Sequence, residues 1–314
     1  MITFLNLNKN LIVTACGIFS ILLTASIISL ILKKLNPDKD FTELRQRIRT
    51  WWFMAGIFTL AIILSKKISL ILFSFISFLA LKEYLSLIPT RRADRRVLFW
   101  AYLAIPFQYL WVGMSWYGMF IIFIPVYMFL LFPLRMILIG ETKGFLHAVG
   151  TLHWGLMITV FSLSHAAFLL VLPNTGNPNG GGAALVLYLV LLTETNDIAQ
   201  YIWGKLFGNS KVIPKVSPNK TKAGLIGGIL TTTILAASLA KFLTPLTFYY
   251  SLLAGLIIGL SGFIGDVVIS ALKRDLGVKD SGSTLPGHGG VLDRIDSLSY
   301  TAPLFFHFIY YLYY

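Results

Sequence analysis

Phe248–Leu272 reads FYYSLLAGLIIGLSGFIGDVVISAL, an apolar run broken by a single charge, Asp266. A run of that length crosses the hydrocarbon core of a bilayer as a helix, and it lacks the alternation of a barrel strand. Its continuation, Ser270–Asp296, reads SALKRDLGVKDSGSTLPGHGGVLDRID and inverts the composition: basic residues, a glycine and histidine turn, then two aspartates. Ionisable residues gathered at the end of an apolar span are costly to keep there and mark a functional site.

The rest of the chain repeats the first half of that pattern. Of 314 residues, 56% are hydrophobic and 12% charged, with a mean hydropathy of +0.77, and the apolar residues fall in long blocks. An all-α, polytopic integral membrane protein follows, with no room for a sizeable soluble domain. Beyond the opening run, the blocks lie at 11–32, 52–64, 68–87, 97–113, 117–139, 154–172, 184–203, 225–242 and 297–313, giving about ten transmembrane helices. The first is read as a retained span, because no basic leader and no small-residue cleavage site precede it. The polar stretch 33–50 is expected to lie on the membrane surface, with Trp51 and Trp52 at the interface.

The net charge of +13 raises nucleic acid as a partner, but no soluble basic face exists to bind it, and the excess is better assigned to topology. Odd-numbered linkers hold 21 of the 26 Lys and Arg residues. These linkers are therefore expected on the cytoplasmic side, with both termini outside. The single cysteine, Cys16, rules out an internal disulfide and a cysteine-based metal site.

Asp266, Ser270 and Lys273 are spaced four and three apart and share one helical face. That face could be an intrahelical charge network that only holds the bundle together. The next loop argues for more. Pro286-Gly287-His288-Gly289-Gly290 is a turn whose backbone amides can approach an anion. Lys273, Arg274 and Lys279 precede it and Arg294 follows, which suits a polyphosphate, while Asp293 and Asp296 offer hard oxygen ligands. The seventh linker adds Asp197, Lys215, Ser217, Lys220 and Thr221, where hydroxyls alternate with lysines. Together these describe a magnesium–nucleotide phosphate site better than a channel. A Walker-type phosphate loop, a nucleophile elbow and paired histidine ligands are all missing.

The pattern resembles the CDP-diacylglycerol synthases (phosphatidate cytidylyltransferases). Their signature is matched by Ser270, Lys273, Arg274, Lys279, Asp280, Pro286, His288, Gly289, Gly290, Asp293, Arg294 and Asp296, with the spacing kept. An upstream signature is matched by Asp197, Tyr201, Gly204, Phe207, Gly208, Lys215, Ser217, Pro218, Lys220 and Thr221. Two departures are Gln200, where a small residue is usual, and Lys222-Ala223, in place of an aromatic-Glu pair. The likeness starts near Arg45, so residues 1–43 are expected to be an added span with the start of a cytoplasmic linker, and 44–314 the cytidylyltransferase membrane domain.

The resemblance implies the Mg²⁺-dependent reaction of CTP with membrane phosphatidate to give CDP-diacylglycerol and pyrophosphate. It implies Asp266, Asp293 and Asp296 as metal ligands, with room for a second cation. Lys273 and Arg274 would neutralise phosphate, the linker-seven residues would hold the nucleotide, and Ser270, Lys279, His288, Gly289, Gly290 and Arg294 would shape the substrate site. The expected home is the bacterial inner (cytoplasmic) membrane, with the site facing the cytoplasm and a homodimer admitted. Alternatives are a CTP-dependent transferase or kinase for another lipid phosphate or a polyprenol, and a non-catalytic protein on the same scaffold. The geometry required in every enzymatic case is that linker seven and Ser270–Asp296 face one cavity.

Overall fold

A backbone in hydrocarbon must satisfy its own hydrogen bonds, so each apolar block is forced into helix. The computed structural model describes residues 9–36, 40–91, 94–284, 287 and 289–314; Pro286 and His288 lie outside them. Helix makes up 81% of it, with no strand among the described residues. The helices are α1 (Lys9–Leu35), α2 (Thr42–Leu64), α3 (Lys66–Leu87), α4 (Arg95–Gly113), α5 (Tyr117–Ile137), α6 (Phe145–Val171), α7 (Gly181–Phe207), α8 (Lys222–Leu243), α9 (Phe248–Asp275), the short α10 (Leu292–Ile295) and α11 (Leu298–Tyr313).

All ten expected spans thus correspond to helices. Eight are long and apolar enough to cross a membrane by length and composition; α4 and α11 are the other two. Two boundaries differ from the apolar blocks. The polar residues 42–50 do not form a separate surface segment but are the first turns of α2, because Glu43 and Arg47 pair at i,i+4 (2.6 Å) and carry the helix past the hydrophobic boundary. Similarly, α6 begins at Phe145, ahead of the block at Trp154.

Helices in lipid gain little from hydrophobic sorting, so close packing and interhelical hydrogen bonds bring them together. In α7–α9 and α11 this is done by small residues. Gly228 lies against Asn196 and Gln200, and Gly255 against Thr233. Buried polar groups bridge the contacts: Tyr188 Oη donates to the Ala236 carbonyl (3.0 Å), Asn196 Nδ2 to that of Gly259 (3.3 Å), and the Thr193 and Thr301 hydroxyls meet at 2.9 Å. Ser297 Oγ donates to the Gly262 carbonyl (3.1 Å), fixing α11 to α9 beside Asp266.

Gly265 sits where a Cβ would run into the backbone carbonyl of Asp296. Gly265→Ala is therefore expected to push α11 from α9, at about 1–3 kcal/mol, readable as a lower unfolding temperature in detergent. An unchanged temperature would show that the two helices separate freely there.

On the other side, α3 packs on α6, where Tyr84 Oη donates to the Thr151 carbonyl (2.7 Å). Helix α1 lies along α2, with Trp52 Nε1 donating to Ser26 Oγ (3.0 Å) and Phe19 stacked on Trp52. Its N-terminal Asn10 donates to the Phe242 carbonyl (2.9 Å) at the end of α8.

Candidate active site

Asp266 lies in the last third of α9. Ser270 Oγ, one turn on, donates to its Oδ1 (3.2 Å), and its Oδ2 forms an ion pair with Lys220. Lys220 arrives from the loop before α8, which is tied into shape by its own backbone: Val212 N donates to the Lys220 carbonyl (3.1 Å) and Lys222 N to that of Ser210 (2.9 Å). Thr221 Oγ1 then caps α8 by accepting from Gly224 N (3.0 Å). The Lys220 ammonium also donates to Gln200 Oε1 (3.0 Å) and lies 5.8 Å from the centroid of the Phe263 ring. Burial lowers its pKa, but Asp266 and Asp197 outweigh that and hold it above the ordinary lysine range.

Asp293, at the start of α10, is buried and fully engaged. Its Oδ1 accepts from Lys273 Nζ (2.7 Å), and its Oδ2 from Ser281 N (2.8 Å), Ser281 Oγ (2.9 Å) and Gly290 N (3.0 Å). Burial raises its pKa, but the Lys273 ammonium and the two amides outweigh burial and leave the carboxyl below its usual range. Asp296, one turn on, is in the opposite condition. Burial, then repulsion from Asp266 and Asp197, push its pKa well above the ordinary value, against a lesser pull from the Ser297 amide and Arg294.

Both motif regions open on one cavity of about 750 Å³. Among the expected site residues, Asp197, Asp266, Lys279, Gly289, Asp293, Arg294 and Asp296 line it. Lys220, Ser270 and Lys273 reach it through the carboxylates they hold. Gly290 contributes its amide to Asp293, and Gly289, like Gly287, takes a left-handed φ (+80° and +75°) that a side chain would resist. Lys215, Ser217, Thr221 and Arg274 are not on the cavity wall. Lys215 is exposed, Thr221 is a helix cap, and Arg274 Nε reaches the Val216 carbonyl (3.4 Å), joining α9 to the loop before α8.

The structure adds walls that the motifs do not contain. Glu43, Arg47 and Trp51 of α2 line the cavity, as do Glu194 and Ile198 of α7, while Tyr201 of the upstream signature lines it too. Glu83 of α3 accepts from Thr284 Oγ1 (2.7 Å) and Leu292 N (2.8 Å). The one sequence signal for Glu83 was a carboxylate inside the apolar block 68–87.

The donor set has the hard oxygens that a magnesium ion takes. Asp197 Oδ1 is buried with no protein partner, and Asp197, Asp266 and Asp296 repel one another. The three expected ligands Asp266, Asp293 and Asp296 are not gathered around one point in this arrangement, however. Among the described residues no three Asp, Glu, His or Cys side chains converge to hold an ion. The reason is local: Asp293 is turned into Lys273 and the Ser281–Gly290 segment. Arg294 Nε is likewise buried without a partner, a donor left over for an anion.

A carboxylate-rich cavity edged by Arg47, Lys279 and Arg294 suits an anionic ligand brought in with a cation. Similarity to known proteins agrees with that chemistry. The chain is 50% identical over 294 residues, 94% of its length and 96% of the relative's, to the uncharacterized protein YnbB of Escherichia coli strain K12. It is 43% identical over 124 residues to the phosphatidate cytidylyltransferase of Staphylococcus haemolyticus, and 42% identical to that of Staphylococcus aureus strain COL. Those matches cover 39% of this chain and 48% of each enzyme, so they span about half the enzymes' length. Residues 45–312 match the model of the cytidylyltransferase family. That match takes in α3–α11 and nearly all of α2, with every wall of the cavity except Glu43, and on this ground the chain belongs to the cytidylyltransferase family.

Proposed function

We propose that the protein is a phosphatidate cytidylyltransferase, joining CTP and phosphatidate to give CDP-diacylglycerol and pyrophosphate. The observation that carries the reading is that Asp197 of the upstream signature and Asp293, Arg294 and Asp296 of the downstream one line one cavity together with Asp266, which is paired to Lys220. In the reaction a lipid phosphate oxygen bonds to the α-phosphorus of CTP. The bond from that phosphorus to the bridging oxygen breaks, and pyrophosphate leaves with the electron pair.

Two anions must be held in line, so the work is positioning and charge neutralisation. Arg294, with its free Nε, and Lys279 are placed to bind phosphate oxygens. Lys220 and Lys273 form ion pairs with Asp266 and Asp293. Magnesium, held by Asp266, Asp293 and Asp296 with the free oxygen of Asp197 beside them, would supply Lewis-acid stabilisation of the phosphates. Such an arrangement requires Lys220 and Lys273 to release their carboxylates, which makes both ammonium groups available to phosphate. Ile198, Tyr201 and Trp51 give the cavity an apolar border on which a diacyl lipid can keep its chains in the bilayer. The excess of basic residues on the odd linkers supports a cytoplasmic orientation of the cavity, and the reading takes the membrane to be a bacterial inner membrane.

Purified protein given CTP, phosphatidate and Mg²⁺ is expected to release pyrophosphate and form CDP-diacylglycerol, with the activity lost in EDTA and restored by excess Mg²⁺. Failure to form a CDP-lipid from any phospholipid acceptor would overturn the reading. A second reading, transfer to another lipid phosphate, is favoured by Gln200. This residue bonds Lys220 where the resembling enzymes carry a small side chain. A panel of acceptors separates the two.

A further inference from the structure

We infer that Glu83 of α3 is a positioning residue, which holds Ser281, Thr284 and Leu292, and through them Asp293, in place for reaction. It lies about 200 positions away in sequence from the residues it binds. Its burial is nearly complete, at 9% exposure. No lysine, arginine or histidine pairs with it among the described residues. A buried carboxylate in that condition has to be met by hydrogen-bond donors, and the loop supplies them at both ends. Thr284 Oγ1 donates to Oε1 (2.7 Å), and Leu292 N donates to Oε2 (2.8 Å).

The third contact links Glu83 to the site. Ser281 Oγ lies 3.3 Å from Glu83 Oε2 and 2.9 Å from Asp293 Oδ2. It has one proton for two carboxylates, so the hydroxyl stands between them. The loop backbone is shaped around this contact. A Cβ at Gly290 would run into Ser281 Oγ and Glu83 Oε2, and one at Gly282 would sit 3.2 Å from Glu83 Oε1. Both glycines therefore admit the carboxylate as much as they form the turn. Glu83 fixes the start of α10 through Leu292 N and the far side of the loop through Ser281 and Thr284. Asp293 follows the first anchor in the chain and accepts from Ser281 in the second.

The catalytic part of this inference rests on the proposed transferase activity; the structural part does not. The test uses full-length protein in detergent with Glu83→Ala, Glu83→Gln and Ser281→Ala. Hydrogen exchange of segment 281–292 is read beside kcat and KM for CTP with phosphatidate as acceptor. In Glu83→Ala the segment should exchange at least about tenfold faster, with α7–α9 unchanged. Its kcat should fall about 10²-fold with KM for CTP within about threefold, as misplacement of a reacting group predicts. Glu83→Gln should recover most of the kcat, because its oxygen can accept from Leu292 N while its amide donates to Thr284 Oγ1. Ser281→Ala should lose part of the activity, and its effect should not add to that of Glu83→Ala.

Unchanged exchange in Glu83→Ala would overturn the inference, and so would a glutamine variant as slow as the alanine one. If the parent protein forms no CDP-lipid, the function fails, and the exchange data still decide whether Glu83 holds the loop.

Discussion

Asp293→Asn is expected to abolish CDP-lipid formation, by at least about 10³-fold, and to destabilise the protein by about 3–5 kcal/mol. An amide cannot replace this carboxylate in either orientation. With its oxygen towards Ser281 and Gly290, its NH₂ confronts the Lys273 ammonium. Reversed, the NH₂ confronts two backbone N–H groups that both need an acceptor. Lys273 is only 14% exposed, so losing its partner leaves a cation with little water to turn to. Pairing Lys273→Met with Asp293→Asn should restore much of the unfolding temperature and none of the activity, because removing both charges costs far less than stranding one. The stability gap between parent and Asp293→Asn should also depend on pH in one direction. A carboxyl whose folded pKa is depressed stabilises above its unfolded pKa and loses that contribution as pH falls through the folded one. The gap should therefore be constant near neutrality and close below about pH 4. Full activity in the single variant would remove Asp293 from the site.

The membrane fold was legible because hydrocarbon imposes a length rule on sequence. Each apolar block had to become a helix, and even the short block 52–64 did so, with its length made up by the polar turns from Thr42. Those turns were misplaced because amphipathic polar sequence reads the same lying on a membrane as continuing a span. Only the Gly287 turn packed against Gln46 and Arg47 shows the difference. For the site, residue type and spacing were enough to gather Asp266, Asp293, Asp296 and Asp197 around one cavity. They were not enough to say which charge meets which. Lys273 shares a helical face with Asp266, yet its ammonium goes to Asp293, while Asp266 is taken by Lys220 from another loop. Intrahelical spacing lists the partners that are near in sequence; burial selects among those that packing brings close. Glu83 illustrates the limit, since all its donors come from the far end of the chain.

Lys220→Met carries the second large effect. In the structure Lys220 is the ammonium set among Asp266, Asp197 and Asp296, with Gln200 Oε1 accepting one of its protons. Methionine keeps the length and the contact with Phe263 but removes the charge. Three mutually repelling carboxylates then have Arg294 as their remaining named counter-charge. Activity should fall by at least about 10²-fold, and unfolding free energy without divalent ions by about 3 kcal/mol. The response to magnesium is the discriminating part. If Lys220 neutralises the same carboxylates that hold the metal, its removal frees them, and Mg²⁺ should raise the unfolding temperature of Lys220→Met more than that of the parent. A lysine that serves only to bind nucleotide phosphate predicts equal shifts in the two proteins. Thermal unfolding in detergent, with and without millimolar Mg²⁺ and with Asp266→Asn as the control lacking a ligand, measures the difference. Equal shifts would separate Lys220 from the metal site. A larger shift in Lys220→Met that disappears in the double variant with Asp266→Asn would place the cation on Asp266, where the lysine now stands.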